Sequence, residues 1–171
     1  MRQLTRAPPL RRYVLLWVQQ DPREDCNHAL EYAAQVANRL KLPLRAVFGL
    51  YERFPEANER CFAFLLHGLA DLRADLHRRG VELTVLRAPP PTAAIHLAKH
   101  AAVLVCDRGY PRLARAWRSE VARGVSCPVI MVETTVVSFP TLYFFSPYFF
   151  RRERGPTVTQ SCVCWLGRWC R

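Results

Sequence analysis

Two phosphate-binding signatures are missing from this 171-residue chain. Neither Gly-x-Gly-x-x-Gly nor Gly-x-x-x-x-Gly-Lys-Ser/Thr occurs, and the seven glycines are scattered at 49, 68, 80, 109, 124, 155 and 167. Such glycines let a backbone wrap a pyrophosphate or a triphosphate, so their absence argues against the common dinucleotide and nucleoside-triphosphate sites. A zinc signature is missing too. Cys162, Cys164 and Cys170 form a Cys-x-Cys pair plus one distant Cys with no nearby His, a poor match to four tetrahedral ligands. No apolar run approaches the ~20 residues of a membrane span. The run Tyr13–Val18 is too short for the apolar core of a secretory signal. Acids are scarce as well: 14 Asp and Glu face 25 Lys and Arg, a net charge of +11. That balance attracts nucleic acid and anionic surfaces without naming either.

What is present is a globular composition, 50% hydrophobic, in a length that suits one domain. "YVLLWV" (13–18), "LPLRAVFGL" (42–50), "VELTVLR" (81–87), "AAVLVC" (101–106) and "CPVIMVE" (127–133) read as strands. They are near-continuous apolar runs, as strands covered on both faces must be. Between the first two, residues 25–41 show a helical stripe of Leu30, Ala33, Val36, Ala37 and Leu40, with Asp25 as the expected cap. Residues 56–79 place Phe62, Leu65, Leu66, Leu69, Leu72 and Leu76 on one side, and Gly80 stops that helix. A proline turn and short helix follow the third strand. The pattern βαβαβαβαβ predicts an α/β, Rossmann-like, doubly wound five-stranded parallel sheet in the order 3-2-1-4-5.

Ligands in such sheets bind past the strand C-termini, where the winding reverses between strands 1 and 4. Gln19 and Gln20 follow strand 1, and Asp107 and Arg108 follow strand 4. With Phe48 of strand 2 they form the candidate cofactor-binding set. Carboxamides suit the amide and carbonyl edges of a heteroaromatic ring. For Asp107 the plainer role is capping. Arg108, Arg112, Arg115 and Arg118 in "DRGYPRLARAWR" have helical spacing, so Arg108, Arg112 and Arg115 are expected on one face. They suit an anionic ligand, a DNA phosphate, or a solvated helix face. Trp117 reads as a core or interdomain aromatic. His28 has no acid or nucleophile named beside it, so it carries no catalytic assignment.

"YVLLWVQQ", "NHALEYAAQVAN", "LPLRAVFGL", "PEANERCFAFLLHGLADL" and "VLVCDRGYPRLARAWR", in this order and spacing, closely resemble the N-terminal α/β domain of class II cyclobutane-pyrimidine-dimer DNA photolyases. The resemblance runs from about Tyr13 to Val137. It implies a domain that in some members holds an antenna chromophore, a deazaflavin or a folate. It also implies a following helical domain that binds FAD and damaged DNA, in which the photoexcited reduced flavin splits the dimer. In the family a Met commonly stands at the position of Val18, and a His-Tyr pair at Cys61 and Phe62.

Residues 138–171 have no helical stripe and no clean alternation. They carry five Arg and one Glu, and seven aromatics crowd into 139–150. The expected organisation is a disordered basic arm over 1–12, the α/β domain over 13–137, and an unpacked tail over 138–171 that resembles a frameshifted or alternatively spliced reading. On that reading the chain is truncated, lacks the FAD site, has no metal site and is inactive in repair by itself. A stand-alone ligand-binding module and a basic interaction protein are the alternatives. The expected state is a monomer without membrane attachment. Lone cysteines beside apolar segments (Cys26, Cys61, Cys106, Cys127) suit a cytoplasmic or nuclear setting, and the acid-free, Arg-bearing start leaves organelle targeting open.

Overall fold

A computed structural model describes residues 11–54, 57–134 and 143–145. Five parallel strands, β1 (Tyr13–Trp17), β2 (Leu44–Gly49), β3 (Glu82–Leu86), β4 (Ala101–Asp107) and β5 (Val129–Val132), lie in the order β3-β2-β1-β4-β5. Four helices connect them: α1 (His28–Leu40), α2 (Glu59–Arg78), α3 (Pro90–Ala98) and α4 (Arg112–Gly124). The doubly wound sheet expected from the apolar runs is therefore present.

Alternation along β1 divides the core. Val14 and Leu16 pack with Leu30, Ala33, Leu69, Leu72 and Leu76 of α1 and α2. Tyr13, Leu15 and Trp17 face the other way, with Ala93, Ala94 and Ala98 of α3 and Val121 of α4. Each fully buried Leu or Val contributes about 1.5–3 kcal/mol relative to exposure, so this two-faced burial is what holds β1 at the centre.

Several local expectations are corrected. The cap of α1 is Asn27, not Asp25: its carboxamide oxygen accepts from Leu30 N–H at 3.0 Å, while its Nδ2 donates to the carbonyls of Asp21 and Arg23 at 3.0 Å each. One side chain thus closes the helix end and the preceding turn together, which Asp25 could not do as an acceptor alone. Asn58 caps α2 in the same way, accepting from Cys61 N–H at 3.0 Å. Gly80 ends α2 as expected, in the left-handed region at φ 73°. The stripe on α2 is split: Leu69, Leu72 and Leu76 are buried, whereas Leu66 is 48% exposed. Arg108 precedes α4, which begins at Arg112 after Pro111. It therefore shares no helical face with Arg112 and Arg115.

A short sixth strand, β6 (Tyr143–Phe145), pairs antiparallel with β5. The unpacked tail expected over 138–171 is corrected at these three residues, because the open edge of β5 offers unpaired backbone groups that a following segment satisfies. The remainder of that tail, and residues 1–10 of the arm, lie outside the described residues.

Gly49 ends β2 directly beneath the start of α3. A Cβ there would lie 2.5 Å from Pro90 Cα, 3.0 Å from Pro90 N and 3.2 Å from the Ala88 carbonyl oxygen. All three are backbone atoms and cannot rotate away. Gly49→Ala is expected to destabilise the domain by about 1–3 kcal/mol, read as a shift in the urea midpoint at unchanged slope.

Candidate functional site

The C-terminal ends of β1 and β2 open into a cavity of about 260 Å³. Its floor and walls are Val18, Gln19, Gln20, Phe48, Gly49, Tyr51, Phe54, Ala57, Cys61, Phe62, Leu65, Pro90 and Trp117. The N-terminal half of α2, which the sheet leaves uncovered, supplies Cys61, Phe62 and Leu65. Helix α4 supplies Trp117. Its ring meets those of Tyr51 and Phe54 edge-on, at centroid distances of 6.2 and 6.4 Å. Such T-shaped contacts contribute about 0.5–1.5 kcal/mol beyond area burial. They fix Trp117 as a wall and draw the loop after β2 toward α4.

The polar content of this cavity is small and specific. Both carboxamide atoms of Gln19, Oε1 and Nε2, are buried without a hydrogen-bond partner among the described residues. A buried unsatisfied polar group costs about 1–3 kcal/mol. Gln20 lies over Gly109, where an added Cβ would stand 2.7 Å from Gln20 Cγ.

Of the candidate set, Gln19, Gln20 and Phe48 line this cavity, while Asp107 and Arg108 are not among its lining residues. Asp107 acts one layer behind. Its Oδ2 accepts from the backbone N–H groups of Gln19, Gln20 and Asp21 at 3.4, 2.7 and 3.0 Å. Burial raises its pKa, the largest effect, and these three amides partly offset the rise. Arg108 turns to β5: its guanidinium stands 3.6 Å from the buried Glu133 carboxylate and 5.1 Å over the Tyr110 ring. The Tyr110 hydroxyl also donates to Glu133. Arg108 thus follows the end of β4 as expected, but its side chain is engaged with a buried carboxylate rather than with this cavity. Arg118 is half-buried, and burial lowers its pKa first, against the raising fields of Cys106 and Asp107.

A family model for DNA photolyase matches residues 14–154. The chain belongs to the DNA photolyase family. The match extends beyond Val137, the expected end of the resemblance. The chain is 45% identical over 125 residues to a deoxyribodipyrimidine photo-lyase of Methanothermobacter thermautotrophicus, covering 73% of this chain and 28% of that protein. It is 29% identical over 115 residues to one of Arabidopsis thaliana, covering 66% of this chain and 23% of that protein. The photolyase-family chain thus spans about a quarter of the length of the curated relatives it matches. A universal stress protein solved in complex with cAMP shares the fold, with a TM-score of 0.51 and 16% identity, over 73% of this chain and 99% of that one.

The walls contributed by Tyr51, Phe54 and Trp117 were not assigned to a site by sequence. The only available signal was their position after β2 and on α4, next to the winding reversal. In the photolyase-family fold, no helix of the described residues is long and apolar enough to cross a membrane.

Two outcomes follow for this site. Asp107→Ala should lower stability by about 2–4 kcal/mol, because buried amide donors lose their acceptor, and Asp107→Asn should lose less. The folded state holds the Asp107 proton more tightly than the unfolded chain does. Wild-type stability relative to Asp107→Asn should therefore be greatest at acid pH and decline as pH rises through the raised pKa, measured by denaturant melts at several pH values. In the second, the Cys106 thiol, pushed up to about 12 by burial and then by the Asp107 field, should stay unalkylated in the native protein at pH 8 while exposed Cys26 and Cys61 react. Peptide mass mapping reads the difference.

Proposed function

We propose that this chain is the antenna-chromophore-binding part of a photolyase for light-driven repair of cyclobutane pyrimidine dimers, and that the cavity past β1 and β2 is the chromophore site. The observation that carries this reading is the unpartnered Gln19 carboxamide, next to Gln20, at a cavity whose other walls are mostly aromatic and aliphatic. One carboxamide offers a donor and an acceptor side by side. A planar heteroaromatic ring with an adjacent N–H and C=O, as deazaflavins and folates have, satisfies both. Phe48, Phe62 and Trp117 supply apolar walls for such a ring, and Asp107 acts as a positioning residue by holding the turn that carries Gln19. A bound antenna absorbs light and passes excitation energy onward; the residues here only bind, orient and exclude water.

Dimer splitting in this reading needs reduced FAD and a flavin-binding part that the α/β domain does not supply. Damaged DNA is then the substrate of the complete repair system, not of this cavity.

The test titrates the purified chain with a deazaflavin, a methenylated folate and ATP, following Trp fluorescence. One of the two chromophores should bind saturably and ATP should not. Gln19→Leu should weaken that binding about tenfold, by loss of one to two hydrogen bonds, whereas Arg108→Ala should change it less than twofold. Blue light with added reduced FAD should split no thymine dimers with this polypeptide alone. Uptake of ATP in preference to both chromophores would replace this reading with a nucleotide-binding module.

A further inference from the structure

Charge in this domain is polarised along the strand direction. The stretches at the N-terminal edge of the sheet are 11–12, 39–43, 77–82, 96–100 and 123–128. They carry Arg11, Arg12, Arg39, Lys41, Arg78, Arg79, Lys99 and Arg123 against a single acid, Glu82. The stretches at the opposite edge, around the cavity, are 18–27, 50–54, 87–89, 107–111 and 133–134. There six acids outnumber four arginines.

Helix ends explain part of this. All four helices run antiparallel to the strands, so their C-termini meet at the cationic edge, each with about half a negative charge. Those ends offset about two positive charges, and the excess is larger. Arg78 and Arg79 are spent on Asp75 and Glu31, at 2.7 and 2.6 Å, and Glu82 is taken by Arg45 at 2.9 Å. Arg12, Arg39, Lys41 and Lys99 are exposed and have no ion pair among the described residues.

The topology lines these cations up. Arg12 precedes β1, Lys41 precedes β2 and Lys99 precedes β4, the three adjacent central strands. The Arg12 N–H donates to the His100 carbonyl at 2.8 Å, which ties the first and third of these turns together. Neighbouring strands are ~4.8 Å apart, so the row spans about 10 Å. A DNA duplex carries one negative charge per about 1.7 Å of its axis, so several phosphates face such a row. Leu40 is the one exposed large apolar side chain at this edge among the described residues. That is little to insert into a lipid surface, which peripheral anchoring needs beside charge.

We infer that the N-terminal edge of the sheet, centred on Arg12, Lys41 and Lys99, docks on the phosphodiester backbone of duplex DNA without reading its sequence. This is independent of the chromophore reading, because it uses the opposite end of the domain. Bound this way, the cavity would face away from the duplex.

The test measures anisotropy of a labelled, undamaged duplex with the full chain across a salt series. Wild type is compared with Arg12→Glu/Lys41→Glu/Lys99→Glu, and with a control of equal charge change on exposed arginines elsewhere, Arg53→Glu/Arg60→Glu/Arg73→Glu. Circular dichroism melts select folded protein; if the triple reversal is not folded, Arg12→Gln/Lys41→Gln/Lys99→Gln takes its place. Edge reversal should weaken binding at least about tenfold and lower the slope of log K against log salt by about 2 to 3. The control should stay within about threefold, as long-range charge alone is screened. Phosphatidylserine-containing vesicles form a second arm. No DNA binding by wild type, equal losses in both variants, or an edge effect confined to vesicles would each overturn the proposal. Undiminished binding by the edge variant would assign the contact to the arm or the tail and overturn it as well.

Discussion

The Asp107 carboxylate joins the two halves of this fold. The winding of the sheet reverses between β1 and β4, and the chain that leaves β1 has no neighbouring strand to follow there. Three successive amide groups, Gln19 to Asp21, would be left without acceptors as the backbone turns away. One oxygen from the end of β4 takes all three. The turn so fixed then presents its Asp21 carbonyl to Asn27, which caps α1. A single buried acid at the reversal point therefore governs the direction of β1's exit, the start of the first helix, and the placement of Gln19 in the cavity.

That arrangement separates structure from recognition. Near the reversal, Asp107 Oδ2 is held by backbone and Arg108 and Tyr110 meet Glu133, while Asp107 Oδ1 and Arg118 Nη1 are buried without a hydrogen-bond partner among the described residues. The cavity beside them is left to aromatic and aliphatic walls, with one carboxamide unpartnered among the described residues. The lining is mostly apolar, with the Gln19 and Gln20 side chains as its carboxamides.

Strand order and the two faces of the sheet were legible in the amino-acid sequence. Burial on both faces forces continuous apolar runs such as Tyr13–Val18, and right-handed crossovers leave few ways to arrange five of them. Gln19, Gln20 and Phe48 were named in the sequence and line the cavity, but it opens past β1 and β2 rather than between strands 1 and 4. Arg108 was expected there on the same topology, at the end of strand 4, but its side chain meets Glu133 and Tyr110; the helical face it was expected to share is interrupted at Pro111, which precedes the start of α4.

The sequence by itself determined the layering, the helix stops and the excess of positive charge, since these follow from local patterns of polarity and backbone preference. Tertiary structure alone decided which partners the polar groups take. Asp25 and Asn27 are equally good caps in isolation, and only the turn held by Asp107 brings two carbonyls to the Asn27 amide. Trp117 reads as an ordinary buried aromatic until Tyr51 and Phe54 are folded against its edge. Contacts between residues more than sixty positions apart carry no signature in the local sequence, because their energy depends on a geometry that exists only once the sheet has formed.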